Sequence, residues 1–253
     1  MALTHVCRDW REIFISRSSL WTFFDCTSVE KTRVYLERSK TSLAIWLGEE
    51  DSDPFLNDAF LLTVPHLRQF KSLFLSVPSN EPLQVARHLG GPAPLLEELR
   101  LANNSSSTIP IIGQAMFGGN SPALRGIRLS GVVSNLVGTN ISNLRVFHLR
   151  RVPSLVISVA GLLDLFERAP LLRRIQLENA FPVSSNAPPG RMVALTHLKY
   201  LIIHAQPAHA ILLNHLTTPI GASLKQVFGF NNDPSSILTH LPKPSTISIT
   251  FPT

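Results

Sequence analysis

Cysteine is almost missing from this chain of 253 residues: Cys7 and Cys26 are the only two, which leaves no disulfide framework and no CxxC metal half-site. A reducing cytoplasmic or nuclear setting follows. Charge is sparse, with 16% charged residues against 44% hydrophobic, a balance too apolar for a disordered protein. Long apolar runs are lacking as well, and none approaches the ~20 residues needed to cross a bilayer, so no membrane partner is expected. The N-terminus, MALTHVCRDWREIFI, sets Arg8, Asp9, Arg11 and Glu12 where an export signal needs an unbroken apolar stretch. No GxxxxGK[ST] phosphate loop, GxGxxG fingerprint, GxSxG elbow or HExxH pair occurs, which argues against an enzyme and against a bound cofactor. His204, His209 and His215 share no helical face and have no cysteine or carboxylate between them, so no metal site is expected. Asn103, Asn104 and Asn140 each open an N-x-S/T tripeptide and read as ordinary loop residues.

What the chain does have is repetition. An apolar residue, two of any kind, an apolar residue, one of any kind and usually another apolar residue recur from Phe70, Leu96, Leu124, Leu144, Leu172, Leu198 and Leu224, at steps of 26, 28, 20, 28, 26 and 26 residues. Such a period marks stacked supersecondary units. Leu99 and Leu101, Ile127 and Leu129, Phe147 and Leu149, Ile175 and Leu177, and Leu201 and Ile203 alternate inward with period two, which is a strand pattern. Pro65, Pro94, Pro122 and Pro170 each stand two residues before a Leu, where a fixed φ and a missing donor suit the entry to a short strand. In the first copy the prolines point to Leu67 and the alternation to Leu73 and Leu75; the alternation is followed. In the last, which begins at Leu224, Val227 is followed by Gly229 where an apolar side chain is expected. Segments from Pro54 to Val64, Pro82 to Leu89, Val159 to Arg168 and Ala208 to Leu216 can form helices between the strands, the third with an apolar face at helical spacing. The pattern predicts an α/β, leucine-rich-repeat-like solenoid with one short parallel strand per repeat over residues 41–253. Because no unit buries its own apolar face, residues 1–40 are expected to form a small helical cap.

In that segment Leu3, Val6, Cys7, Trp10, Ile13 and Phe14 lie at helical spacing, a cluster of Leu20, Trp21, Phe23 and Phe24 follows, and Val29 to Leu36 suggests a second helix. VCRDWR at residues 6–11 and SRSSLW at 16–21 resemble the C-terminal half of an F-box, so the chain reads as beginning inside that motif. With irregular repeats behind it, the whole chain is similar to fungal F-box proteins of the leucine-rich-repeat type. The resemblance implies a substrate-recognition subunit of an SCF-type (Skp–cullin–F-box) ubiquitin ligase, with Val6, Cys7, Trp10, Leu20 and Trp21 docking on the Skp adaptor and the repeats holding the substrate. The alternative for these five is burial against the first repeat. Regular repeats place Asn or Cys three residues after the last strand leucine; here Val132, Val152 and Ala180 stand there, and only Asn104 fits.

Strand residues that alternate with the inward ones define an outward surface. Its central column reads Phe74, Arg100, Arg128, His148, Gln176, Ile202 and Phe228, flanked by Ser76, Ala102, Ser130, Arg150, Glu178, His204 and Phe230 and by Ser72, Glu98, Gly126, Val146, Arg174, Tyr200 and Gln226. The net charge is +6, and residues 131–200 hold eight Lys or Arg against three Asp or Glu. Arg100, Arg128, Arg150 and Arg174 are therefore the candidate contacts for an acidic or phosphorylated protein, since a guanidinium grips carboxylate or phosphate through two hydrogen bonds. Tyr200, Phe228 and Phe230 are the candidate apolar anchors. Competing readings are a stand-alone repeat scaffold and, from the pI of about 9.8, a nucleic-acid-binding surface. Few lysines in the column, and Glu98 and Glu178 beside it, argue against nucleic acid.

Overall fold

The computed structural model describes residues 7–26, 28–39, 43–46, 58–77, 82–103, 109–113, 115–152, 157–180, 190–205, 211–228 and 246–250. Within them the strands, in chain order, are β1 (Phe23–Asp25), β2 (Leu43–Trp46), β3 (Phe70–Ser76), β4 (Glu98–Ala102), β5 (Ile111–Ile112), β6 (Gly126–Ser130), β7 (Val133–Ser134), β8 (Val146–Val152), β9 (Arg174–Ala180), β10 (Val193–Ala194), β11 (Tyr200–Ala205), β12 (Leu216–Thr217), β13 (Ser223–Phe228) and β14 (Thr246–Thr250). The helices are α1 (Arg8–Ser16), α2 (Val29–Arg38), α3 (Asp58–Leu61), α4 (Pro82–His88) and α5 (Val159–Arg168). Ten strands make one sheet in the order β1-β2-β3-β4-β6-β8-β9-β11-β13-β14, and every neighbouring pair is parallel. Two-residue parallel ladders, β5 with β7 and β10 with β12, lie outside it. The chain is thus α/β with one large parallel sheet.

Alternation sets which side of each strand is buried. Leu73, Leu99, Ile127, Phe147, Ile175, Leu201 and Leu224 occupy one aligned row, and Leu75, Leu101, Leu129, Leu149, Leu177 and Ile203 a second. All are buried in a single apolar cluster, each contributing about 1.5–3 kcal/mol relative to exposure. Helices cover this side. Helix α5 begins where the Ser158 hydroxyl accepts a hydrogen bond from the Gly161 N–H at 3.0 Å, an N-cap that satisfies a donor without a helical partner. It buries Leu162, Leu163 and Phe166, sets the Phe166 ring edge-on to Phe147 at 6.3 Å, and stops before Pro170, which cannot continue a helix. Arg168 then reaches back so that Nη2 donates to the Leu136 and Thr139 carbonyls at 2.9 and 2.7 Å, fixing the loop that precedes β8.

Several expectations are corrected. The sheet does not begin at Phe70: β1 and β2 precede it. β14 adds a strand after the last expected copy. In β13 Leu224 pairs with Leu201, and Ser223 with Tyr200, three residues from the expected register; Leu224 fills the third place of the copy and not the first. Phe228 consequently aligns with Ala205 and leaves the central column to Lys225, while Phe230 lies outside the described residues. The expected helix from Pro54 is described from Asp58 and passes into a 3₁₀ turn over Val64–Gln69; that from Ala208 is described as helical over 211–213, before a turn at 214–215. Asn104 lies outside the described residues, but Asn103, expected as an ordinary loop residue, is buried and donates from Nδ2 to the Val77 carbonyl at 2.5 Å. Val132, Val152 and Ala180 form a buried apolar column in place of a polar ladder.

Candidate functional site

The side of the sheet opposite the helices carries the charged residues. Register places Phe74, Arg100, Arg128, His148, Gln176, Ile202 and Lys225 side by side on consecutive strands. Parallel pairing sets neighbours about 4.8 Å apart, so cations stacked this way need counter-charges. Glu98 supplies the first: its Oε2 lies 3.4 Å from Arg100 Nη2 and 3.3 Å from Arg128 Nη1. Glu178 supplies the second, pairing with Arg150 Nε at 3.5 Å and lying 3.9 Å from His148 Nε2, while Gln176 Nε2 donates to its other oxygen.

His148 sits at the centre. Burial lowers its pKa below the ordinary value of 6.5; Glu178 works against the shift, and Arg128, Arg150 and Arg174 add to it. The imidazole is neutral at pH 7, and its buried Nε2 has no hydrogen-bond partner. Arg174 lies over the Tyr200 ring at 5.2 Å, a cation–π contact worth about 0.5–1 kcal/mol at an exposed site. Tyr200 is 49% exposed. Counting Arg100, Arg128, Arg150, Arg174 and Lys225 against Glu98 and Glu178, the face keeps three surplus positive charges with His148 neutral. Toward β1, where Asp25 stands in line with Phe74, an open hollow of about 240 Å³ is lined by Phe23, Ala44, Phe74, Glu98 and Arg100.

The structure therefore brings Arg100, Arg128, Arg150, Arg174 and Tyr200 onto one surface and removes Phe228 from the central column. Sequence reading missed Lys225, which entered through the register of β13, and Phe23 and Ala44, which belong to strands too short to show alternation.

At the N-terminal end the docking candidates separate. Trp10 and Leu20 are 55% and 49% exposed, Cys7 is exposed with Sγ accepting from the Trp10 N–H at 3.5 Å, and Val6 lies outside the described residues. Trp21 is only 5% exposed. Its Nε1 donates to the Phe14 carbonyl at 2.8 Å, its ring meets Tyr35 edge-on at 5.1 Å, and the Arg38 guanidinium stands 4.4 Å from the ring. Helix α1 buries none of its residues; Trp10 and Ile13, three residues apart, share one exposed face, and Ile15 is exposed on another.

Of the three histidines, His215 Nδ1 lies 2.7 Å from the Arg191 carbonyl, His204 is at the end of β11 and His209 lies outside the described residues. Among the described residues no group of three or more His, Cys, Asp or Glu is placed to hold a metal ion, and no helix is long and apolar enough to cross a membrane. No protein-family model, curated protein or solved structure matches the chain.

Proposed function

We propose that the chain is a leucine-rich-repeat-like solenoid that binds a protein partner on the exposed side of its parallel sheet, as the substrate-recognition part of an SCF-type ubiquitin ligase in the cytoplasm or nucleus. Catalysis is assigned to other subunits. The observation that carries the reading is the asymmetry of the sheet: one side is packed under α5 and the apolar cluster, and the other presents Arg100, Arg128, Arg150 and Arg174 on four consecutive strands with a surplus of positive charge. A wall of this kind attracts an acidic or phosphorylated segment, whose anions complete the pairing that Glu98 and Glu178 leave partial. Tyr200 supplies an amphipathic anchor at one end, and the hollow beside Phe74 an apolar one at the other.

Coupling to the Skp adaptor is supported by the exposed Trp10, with Leu20 also exposed, since tryptophan is enriched among the few residues that carry most interface energy. The test is a pull-down with the adaptor, using this chain, a version extended upstream, and the Trp10→Ala/Leu20→Ala double variant. Capture lost in the double variant supports docking; no capture by either parent chain removes the ligase reading. For the wall, charge reversal at Arg128 and Arg150 with unchanged affinity for a phosphoserine peptide would dispose of it. A stand-alone scaffold is the second reading, favoured by the burial of Trp21 under Tyr35 and Arg38, which takes one docking candidate for internal packing.

A further inference from the structure

A second basic array lies along the edge where the strands begin. Backbone bonds fix its register: Glu97 N donates to Lys71 O, Arg125 N to Glu97 O, Arg145 N to Arg125 O, Arg173 N to Arg145 O and Lys199 N to Arg173 O, at 2.8–2.9 Å. Lys71 on β3 and Glu97, Arg125, Arg145, Arg173 and Lys199, each the residue just before β4, β6, β8, β9 and β11, are thus consecutive rungs, and all but Glu97 are exposed. Glu97 neutralises one end, lying 3.7 Å from Lys71 Nζ and 3.9 Å from Arg125 Nη1. Beyond it, Arg145, Arg173 and Lys199 make no ion pair with any described carboxylate. Ala222, buried, is the next residue along and closes the row.

We propose that this row holds a short acidic peptide segment laid across the strands, with Arg145, Arg173 and Lys199 as its principal contacts and Arg125 as the fourth. The inference rests on the reading of the sheet as a partner-binding surface and names the chemistry of the partner. Three steps between strands cover about 14 Å, the length of about four residues of extended peptide, so a run of three to five Asp or Glu matches the track. Arg174 and Tyr200, the next residues along, alternate away to the strand face and belong to the first surface, not to this row. A nucleic acid fits less well, because its backbone would continue past the row onto Glu97 and Glu98, and among the described residues Tyr200 is the one exposed ring next to it for base stacking.

The experiment is fluorescence anisotropy on the full chain with a labelled peptide of about five consecutive glutamates, its glutamine counterpart, and a single-stranded oligouridylate of equal charge. The expected result is binding of the glutamate peptide alone among the peptides, weakened at least about tenfold by Arg145→Gln/Arg173→Gln and less than about threefold by Arg128→Gln/Arg150→Gln at low salt. No binding of the glutamate peptide, or equal binding by the edge variant, overturns the inference. If the face variant abolishes binding while the edge variant leaves it intact, the edge row falls and the strand-face reading stands. Tighter binding of the oligouridylate by more than about tenfold overturns the peptide as the partner class. Arg145, Arg173 and Arg150 are exposed and Arg128 is half-buried, and circular dichroism checks that both variants keep the fold.

Discussion

Replacing Gly131 by alanine tests the alignment of the strands at one atom. Gly131 follows β6 with φ +60°, and its N–H donates to the Arg150 carbonyl at 2.8 Å. A Cβ here would stand 2.6 Å from the carbonyl oxygen of Asn103, a backbone atom. Asn103 cannot retreat freely, because its N–H donates to Ser130 O at 2.8 Å and its own carbonyl accepts from Arg151 Nη2 at 3.1 Å. The left-handed backbone costs an L-residue about 1 kcal/mol, and the overpacked contact adds about 1–3 kcal/mol. A total of about 2–4 kcal/mol corresponds to a fall in Tm of roughly 5–15 °C for a chain of this length. Gly113 is the control: it lacks a positive φ and a Cβ there meets nothing within 4 Å, so Gly113→Ala should stay within about 0.5 kcal/mol. Thermal melts followed by circular dichroism decide the matter. A Gly131→Ala protein melting within about 1 °C of the parent would refute the close approach of β6 to the β4 loop, and with it the register across the middle of the sheet.

Leu149→Ala should cost about 2–5 kcal/mol by opening a cavity in the apolar cluster, whereas Arg150→Ala, one residue on, should cost less than about 1 kcal/mol; urea denaturation of the pair reads the alternation directly. Thiol titration of the native protein with an aromatic disulfide at mildly alkaline pH should modify Cys7 rapidly and Cys26 only on unfolding, because burial pushes the Cys26 thiol up to about 12. Two rapid equivalents would contradict the packing around β1. His148 gives a pH dependence: its folded pKa lies below the ordinary 6.5, so the unfolded chain takes up the proton first, and this contribution to stability, complete above that value, is lost as pH falls below it. Urea midpoints measured between about pH 7 and pH 5 should decline less in His148→Gln than in the parent.

The inward residues of β3 to β11 were legible because each copy repeats the same two-residue alternation seven residues or fewer from a proline or a helix stop. β1 and β2 were not, since a strand such as Phe23–Asp25 is too short to distinguish alternation from chance; β14 alternates at Ile247 and Ile249 but lacks the leading leucine that marks the copies from Leu96 to Leu198. The register of β13 failed for a different reason. Leu224 satisfies the first or the third place of the repeat equally well, and only the bond from Ser223 N to Lys199 O chooses between them. The arginine columns were readable as positions but not as partners: that one Glu98 oxygen serves both Arg100 and Arg128 depends on side-chain reach across two strands. The edge row stood in the sequence throughout, as the second residue of the copies at Lys71, Arg125, Arg145, Arg173 and Lys199, yet alternation assigns a direction only within the strand proper.

Stacking identical positions in a parallel sheet forces like charges together, and the way each row relieves this separates architecture from binding. On the face, Glu98 and Glu178 are interleaved among the arginines; on the edge, Glu97 is shared by Lys71 and Arg125. Arg145, Arg173 and Lys199 receive no such relief. With charges about 5 Å apart in water, each adjacent pair costs up to about 0.8 kcal/mol before side chains splay, and Arg173 stands between two neighbours. Arg173→Gln should therefore stabilise the free protein by about 1 kcal/mol at low ionic strength, the gain shrinking as salt shortens the screening length to about 8 Å. The same substitution should weaken capture of the acidic peptide. Opposite signs on stability and binding are what a functional row predicts, because a row kept for the fold alone would lose stability when its central member is neutralised; destabilisation by Arg173→Gln at low salt, measured by urea midpoint, would remove the argument.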